Sequence, residues 1–175
     1  MELSSESRVD SCPLCNGRHR GRRIDRCDRV LVAEDDPAIA NLIAYNVERA
    51  GYEVAIAADG VEALRRLRED PPDLLILDLL LPLQSGWQVL REMRSQRGMR
   101  LATLPVLIVS ALACNRLQEE ISRMGAQRLL GKPFAVKDLC RTIGELLDAS
   151  RPHTNQALQP EPDRINGSVM AHSSS

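Results

Sequence analysis

The sequence predicts an α/β fold of the doubly wound kind, a five-stranded parallel sheet in strand order 2-1-3-4-5 with helices on both faces. Three observations carry this. The run Leu74, Leu75, Ile76, Leu77, Asp78, Leu79, Leu80, Leu81 is aliphatic but for one carboxylate and ends at Pro82, which reads as a strand buried on both faces. Short aliphatic runs alternate five times with stretches of helical period, the pattern of parallel strands joined by right-handed crossovers. Aromatic residues are only 2% of the chain against 43% hydrophobic, so the core must be aliphatic, helices packed on a sheet.

Arg29 to Ala33 forms the first strand. Pro37 suits the first turn of a helix, and Ile39, Leu42, Ile43 and Val47 repeat at helical spacing up to Gly51, a C-terminal cap. Tyr52 to Ala57 is the second strand. Asp59 caps a helix carrying Val61, Leu64 and Leu67, which Pro71 and Pro72 terminate. Leu74 to Asp78 is the third strand. Ser85 and Gly86 open a helix with Val89, Leu90 and Met93 inward, and a loose connection follows from about Gln96 to Leu104. Pro105 to Ser110 is the fourth strand, Asn115 to Met124 a helix, Arg128 to Gly131 a weak fifth strand. A last helix from Ala135 to Leu147 turns Leu139, Ile143, Leu146 and Leu147 inward.

These elements bound a domain at 29–149, between a leader at 1–28 and a polar tail at 150–175. The tail, rich in Pro, Ser, Asn and Gln, has little to bury and is expected to be disordered. It is too short for a DNA-binding domain, so a stand-alone domain or a shortened regulator is expected. The net charge of -1 gives no support for nucleic-acid or membrane binding. Neither a signal peptide nor a run of the roughly 20 apolar residues a spanning helix needs is visible. A cytoplasmic protein is expected, with Cys114 and Cys140 as small, unoxidised core residues.

The leader offers Cys12, Cys15, His19 and Cys27, four potential zinc donors. Cys12 and Cys15 are spaced as the half-site of a zinc knuckle, so zinc binding is a possible role, but the spacing to Cys27 fits no zinc pattern and no apolar set surrounds them. Arg18, Arg20, Arg22, Arg23, Arg26 and Arg29 make the stretch basic, the one feature favouring a DNA- or RNA-binding regulator. Without aromatic partners a solvated leader is the preferred reading, and a nucleic-acid partner is not expected.

In the predicted strand order the crevice lies at the carboxyl ends of strands one and three. Glu34, Asp35 and Asp36 leave the first, and Asp78 ends the third. Asp36, before Pro37, is read as a helix N-cap. The remaining carboxylates repel unless a cation intervenes, and hard oxygen ligands favour magnesium. Ser110 at the end of strand four can donate a hydroxyl hydrogen bond, and Lys132 past strand five brings a mobile positive charge. A carboxylate nucleophile, a divalent cation, a lysine and a hydroxyl are the parts of phosphoryl transfer to an aspartate.

VLVAEDD at 30 to 36, ADGVEAL at 58 to 64, LLILDLLLPLQSG at 74 to 86, VLIVSA at 106 to 111 and GAQRLLGKPF at 125 to 134 together resemble the receiver domain of bacterial two-component response regulators. The resemblance covers about two thirds of the chain in order and implies a flavodoxin-like fold. It implies that Asp78 is the phosphoacceptor, phosphorylated by a sensor histidine kinase or phosphotransfer protein. Magnesium would be held by Glu34, Asp35, Asp78 and the main-chain carbonyl of Leu80. Ser110 would be the hydroxyl switch, Lys132 the phosphate contact, and Lys132-Pro133 a cis peptide. Such a domain promotes only its own phosphorylation and dephosphorylation, so an enzyme acting on external substrates is not expected.

Residues 42 to 46 and 51 to 54 look most like receivers of the winged-helix class. Leu129 stands where receivers usually place an aromatic switch residue, which implies an altered output through a downstream protein partner. Gln127 and Arg128 replace an acidic pair used in dimerisation, which implies a monomer or a weak phosphorylation-dependent dimer. Leu80 and Leu112 border the path of attacking water in the family and cannot hydrogen-bond it, which implies slow loss of the phosphoryl group. A dehalogenase-like phosphatase would need a second Asp at the position of Leu80, so that alternative is set aside.

Overall fold

The computed structural model describes residues 27–96 and 100–150. The elements are β1 (Arg29–Ala33), α1 (Pro37–Arg49), β2 (Glu53–Ala57), α2 (Gly60–Glu69), β3 (Leu74–Asp78) and α3 (Gly86–Ser95). They continue as α4 (Arg100–Thr103), β4 (Val106–Ser110), α5 (Asn115–Arg123), β5 (Arg128–Gly131) and α6 (Val136–Ser150). All strand pairs are parallel, in the order β2-β1-β3-β4-β5.

Period-two alternation splits the core into two layers. Leu31, Ala33, Leu75, Leu77, Val106 and Ile108 pack with α2, α3 and α5. Val30, Val32, Leu74, Ile76, Leu107 and Val109 pack with Ile43 and Val47 of α1 and Leu139 and Ile143 of α6. Every residue of β3 and β4 is buried, and each leucine so buried contributes about 2 kcal/mol. The central strands are thereby held rigidly, and with them the side chains at their carboxyl ends.

Local chemistry sets the helix ends. Asp36 accepts from the N–H groups of Ala38 (2.8 Å) and Ile39 (3.2 Å), with Pro37 at the first helical position, so the N-cap reading holds. Asp59 caps α2 through Glu62 N. Ser85 and Gln88 close a reciprocal capping box on α3. Gly51, after the end of α1, has φ 94°, a left-handed conformation glycine adopts without a Cβ clash.

The structure departs from the sequence reading at several points. The stretch read as a loose connection contains α4, and β2 begins at Glu53 rather than Tyr52. Leu42 and Val61 are exposed, while Ala40, Ala44 and Ala63 take the buried positions. A 3.6-residue period defines a stripe only about a third of the helix circumference wide, and the flanks go to whichever small residue fits the sheet more closely. Cys114, a free thiol, is exposed at the N-cap of α5 and Cys140 is half-buried, so neither is a fully buried core residue. Among the described residues no helix is long and apolar enough to cross a membrane.

Candidate functional site

β1 and β3 are neighbours in register, Ala33 opposite Leu77, so the residues that follow emerge side by side. Glu34, Asp35 and Asp78 each present a carboxylate oxygen within 4.8 Å of the others. Glu34 is 2% exposed and Asp78 6%, whereas Asp35 faces solvent. Two buried anions this close require a partner.

Lys132 is that partner. Its Nζ donates to Asp78 Oδ2 at 2.5 Å and to Glu34 Oε2 at 2.6 Å, and its side chain is mostly buried. The other oxygen of Asp78, Oδ1, accepts from Leu80 N at 2.9 Å. Burial pushes the Glu34 carboxyl above the ordinary carboxylate range, and the Lys132 contact only partly offsets this. Burial pulls the Lys132 ammonium down, but its bonds to Asp78 and Glu34 together outweigh that, and its pKa ends raised. One ammonium against three carboxylates leaves an excess of negative charge. All the side-chain donors are hard oxygens, a set that suits magnesium.

Ser110 ends β4 fully buried. Its carbonyl accepts from Lys132 N at 2.9 Å and its Oγ accepts from Leu112 N at 3.1 Å. A hydroxyl that accepts in this way still carries its own hydrogen for donation. Leu129 on β5 is half-buried against the core layer of α2, α3 and α5. The Lys132-Pro133 peptide is cis.

The matching of residues 30–144 to the response regulator receiver domain family covers well over half of the chain. The chain belongs to the response regulator receiver family. The receiver is 39% identical over 121 residues to the DNA-binding dual master transcriptional regulator RpaA of Synechocystis, an alignment covering 68% of this chain and 48% of that protein. Among solved structures it is similar to the Francisella response regulator 1452 receiver domain, with TM-score 0.66 and 31% identity over 71% of this chain and 99% of that one. The receiver domain of sensor histidine kinase PA1611 from Pseudomonas aeruginosa, with a magnesium ion coordinated in its active-site cleft, aligns with TM-score 0.63 and 27% identity over 70% of this chain and 99% of that one. The chain spans about half the length of the curated relatives it matches. The five-stranded flavodoxin-like architecture is thus that of the family.

The receiver brings Glu34, Asp35, Asp78 and Lys132 together at one point, with Ser110 and the Leu80 amide at its edge. Asp36 is drawn away into capping α1. Of the zinc donors, Cys12, Cys15 and His19 lie outside the described residues, as do Arg18 to Arg26. Cys27 is disulfide-bonded, so its sulfur is no thiolate donor. Arg29 belongs to β1 and forms an ion pair with Asp70. Two contributors escaped sequence reasoning. The direct Lys132–Glu34 pair spans 98 residues, with no local signal. Gly86 lets α3 approach β3 so closely that an added Cβ would lie 2.1 Å from the Asp78 carbonyl oxygen; its place directly after the capping Ser85 was visible, its contact was not.

Proposed function

We propose that this receiver, over residues 29–149, is a phosphorylation-operated switch that accepts a phosphoryl group on Asp78 from a phosphohistidine of a sensor histidine kinase or phosphotransfer protein. The observation that carries this reading is the buried Asp78 carboxylate held on the Lys132 ammonium inside an acidic cluster at the carboxyl end of β3. Asp78 supplies the nucleophilic oxygen. Lys132, freed from its carboxylate contacts, follows the new charge to the phosphoryl oxygens, and the Leu80 N–H and Ser110 hydroxyl would donate to them. Magnesium, held by Asp35, Glu34, Asp78 and the Leu80 carbonyl, would supply the positive charge that neutralises those oxygens.

Moving Lys132 and drawing in Ser110 alters β4 and β5 where they meet α5 and α6. The new charge thus biases a two-state equilibrium read by a downstream protein. Leu129 in place of an aromatic makes the change in exposed surface smaller. The chain acts in the cytoplasm, on no external substrate, as a monomer or a weak phosphorylation-dependent dimer.

Incubation with phosphoramidate and magnesium followed by intact-mass measurement tests the assignment. Wild type gains one phosphoryl group, which persists after the donor is removed, as the apolar Leu80 and Leu112 imply, and Asp78→Asn gains none. Equal gains in both proteins would reject Asp78 as the acceptor.

A further inference from the structure

The chemistry proposed for Asp78 depends on the backbone of Leu80, in the loop 79–85 that joins β3 to α3. Leu80 N donates to Asp78 Oδ1 at 2.9 Å, and the Leu80 carbonyl is a magnesium ligand in that reading. The Leu80 side chain is exposed and so does not anchor this backbone. Its neighbours Leu79 and Leu81 are buried in the core layer of α2 and α3, which holds the first half of the loop. Pro82 to Ser85 bury no side chain fully, so the second half must be held in another way.

Gln84 N donates to Pro82 O at 2.7 Å, closing a tight turn around Leu83. The φ of Leu83 is 62°, a left-handed conformation that costs a leucine free energy which glycine would avoid. Its side chain is 79% exposed, so no internal packing offsets the strain, and what steadies the turn comes from α2. Gly60 N, an N–H with no acceptor inside its own helix, donates to Pro82 O at 3.4 Å. Gly60 is buried, and a Cβ there would lie 1.9 Å from the Gln84 carbonyl oxygen and 2.7 Å from Gln84 Cβ. So close a seat is open only to a residue without a side chain. At its other end the loop is closed by Gly86 N, which donates to Leu79 O at 3.1 Å. The Leu80 backbone thus lies between a base held by α3 and a tip held by α2.

We propose that Gly60, which has no side chain to offer the chemistry, is a positioning residue for it: by seating α2 on the Leu83 turn it fixes the peptide that carries the Leu80 carbonyl. This rests on the reading of Asp78 as a magnesium-assisted phosphoacceptor. A side chain at position 60 would drive the Gln84 carbonyl back by about 1 Å, from 1.9 Å to at least the 3.0 Å that real Cβ contacts keep. Pro82 holds its own φ and restricts the residue before it. A shift of the tip is therefore passed to Leu81, whose peptide bond with Leu80 contains the carbonyl, instead of being absorbed on the way. Magnesium demands near-ideal octahedral geometry with ligands at about 2.0–2.1 Å, so a displacement of a fraction of an ångström weakens that contact.

The test melts full-length wild type, Gly60→Ala and the double variant Gly60→Ala with Leu83→Gly across a series of magnesium concentrations. Val47→Ala, truncated in the other core layer, controls for lost stability. Stabilisation by a ligand depends on its concentration relative to its dissociation constant. The magnesium needed for a fixed rise in melting temperature therefore reports affinity whatever the starting stability. Gly60→Ala should need roughly tenfold more magnesium than wild type, the scale for losing a support around a metal. Val47→Ala should melt lower yet need the wild-type amount. Leu83→Gly frees the turn to re-form clear of the added methyl, so the double variant should regain most of the affinity. At magnesium below its dissociation constant, phosphorylation of Gly60→Ala by phosphoramidate should slow by the same factor. Wild-type magnesium dependence in Gly60→Ala would overturn the positioning role, as would an equal loss of affinity in Val47→Ala or no recovery in the double variant. Wild type that magnesium stabilises at no concentration would instead reject the metal site of the proposed function, and the positioning role with it.

Discussion

Lys132 answers two buried carboxylates with one charge, and this sets the energy of the crevice before any phosphoryl group arrives. Its raised pKa means the ammonium contributes stability throughout the range below an ordinary lysine pKa, lost only as pH rises through the folded value. Glu34 has the opposite balance. Its raised carboxyl pKa favours the fold below the ordinary glutamate value, and that contribution is lost as pH rises through the raised value, so ionising Glu34 is a net cost that a cation relieves. Lys132→Met should therefore lower unfolding free energy in magnesium-free buffer by about 3 kcal/mol, the scale for breaking a buried pair. Millimolar magnesium should restore part of the loss. Urea denaturation with and without the metal checks this; a variant as stable as wild type, or indifferent to magnesium, would sink it. At this scale Asp78, Asp35 and the capping role of Asp36 were legible, because a charge in an apolar strand or before a proline carries its own local signal. The Lys132–Glu34 bond was not, since neither residue's neighbourhood refers to the other.

The elements were legible where periodicity was strong and obscure where chain segments rely on one another. β1, β3, β5 and the inward faces of α3 and α6 follow from aliphatic spacing. The stretch before β4 lacked such a pattern, and what orders it is Arg94, on the last turn of α3. Its guanidinium donates to the carbonyls of Leu101 (2.8 Å), Ala102 (3.2 Å), Leu104 (2.8 Å) and Gly125 (2.8 Å). Burial pushes its pKa down, yet the four carbonyl dipoles keep the cation satisfied. Arg94 thus ties α4 and the turn before β5 to α3. Arg94→Met should cost about 3 kcal/mol, from several carbonyls left without a donor. Hydrogen exchange should speed most at residues 100–104 and 124–126. Uniform exchange across the sheet, or none beyond wild type, would show that the clamp is not what orders these segments.

For the whole molecule, the sheet order and the position of the crevice follow from the alternation of strands and helices, and association depends on the surface that alternation leaves. Gln127, where the dimerising relatives of the resemblance carry an acidic residue, turns its Oε1 inward to accept from Val106 N at 2.6 Å. Arg128 beside it is exposed. With an inward amide and an outward cation there, the phosphorylated chain should sediment as a monomer at micromolar concentration. A tight dimer after phosphoramidate treatment would contradict this. The amino-acid sequence by itself determined the layered α/β architecture, the capped helix starts and the placing of Asp78 at a strand end, since these arise from periodicity and chemistry within a few residues. Only the tertiary structure decided that Lys132 bridges Asp78 and Glu34, that Arg94 gathers four carbonyls, and that Leu83 holds a strained turn at the rim. Each of these depends on segments far apart in the chain being pressed together by a core whose packing no local pattern encodes.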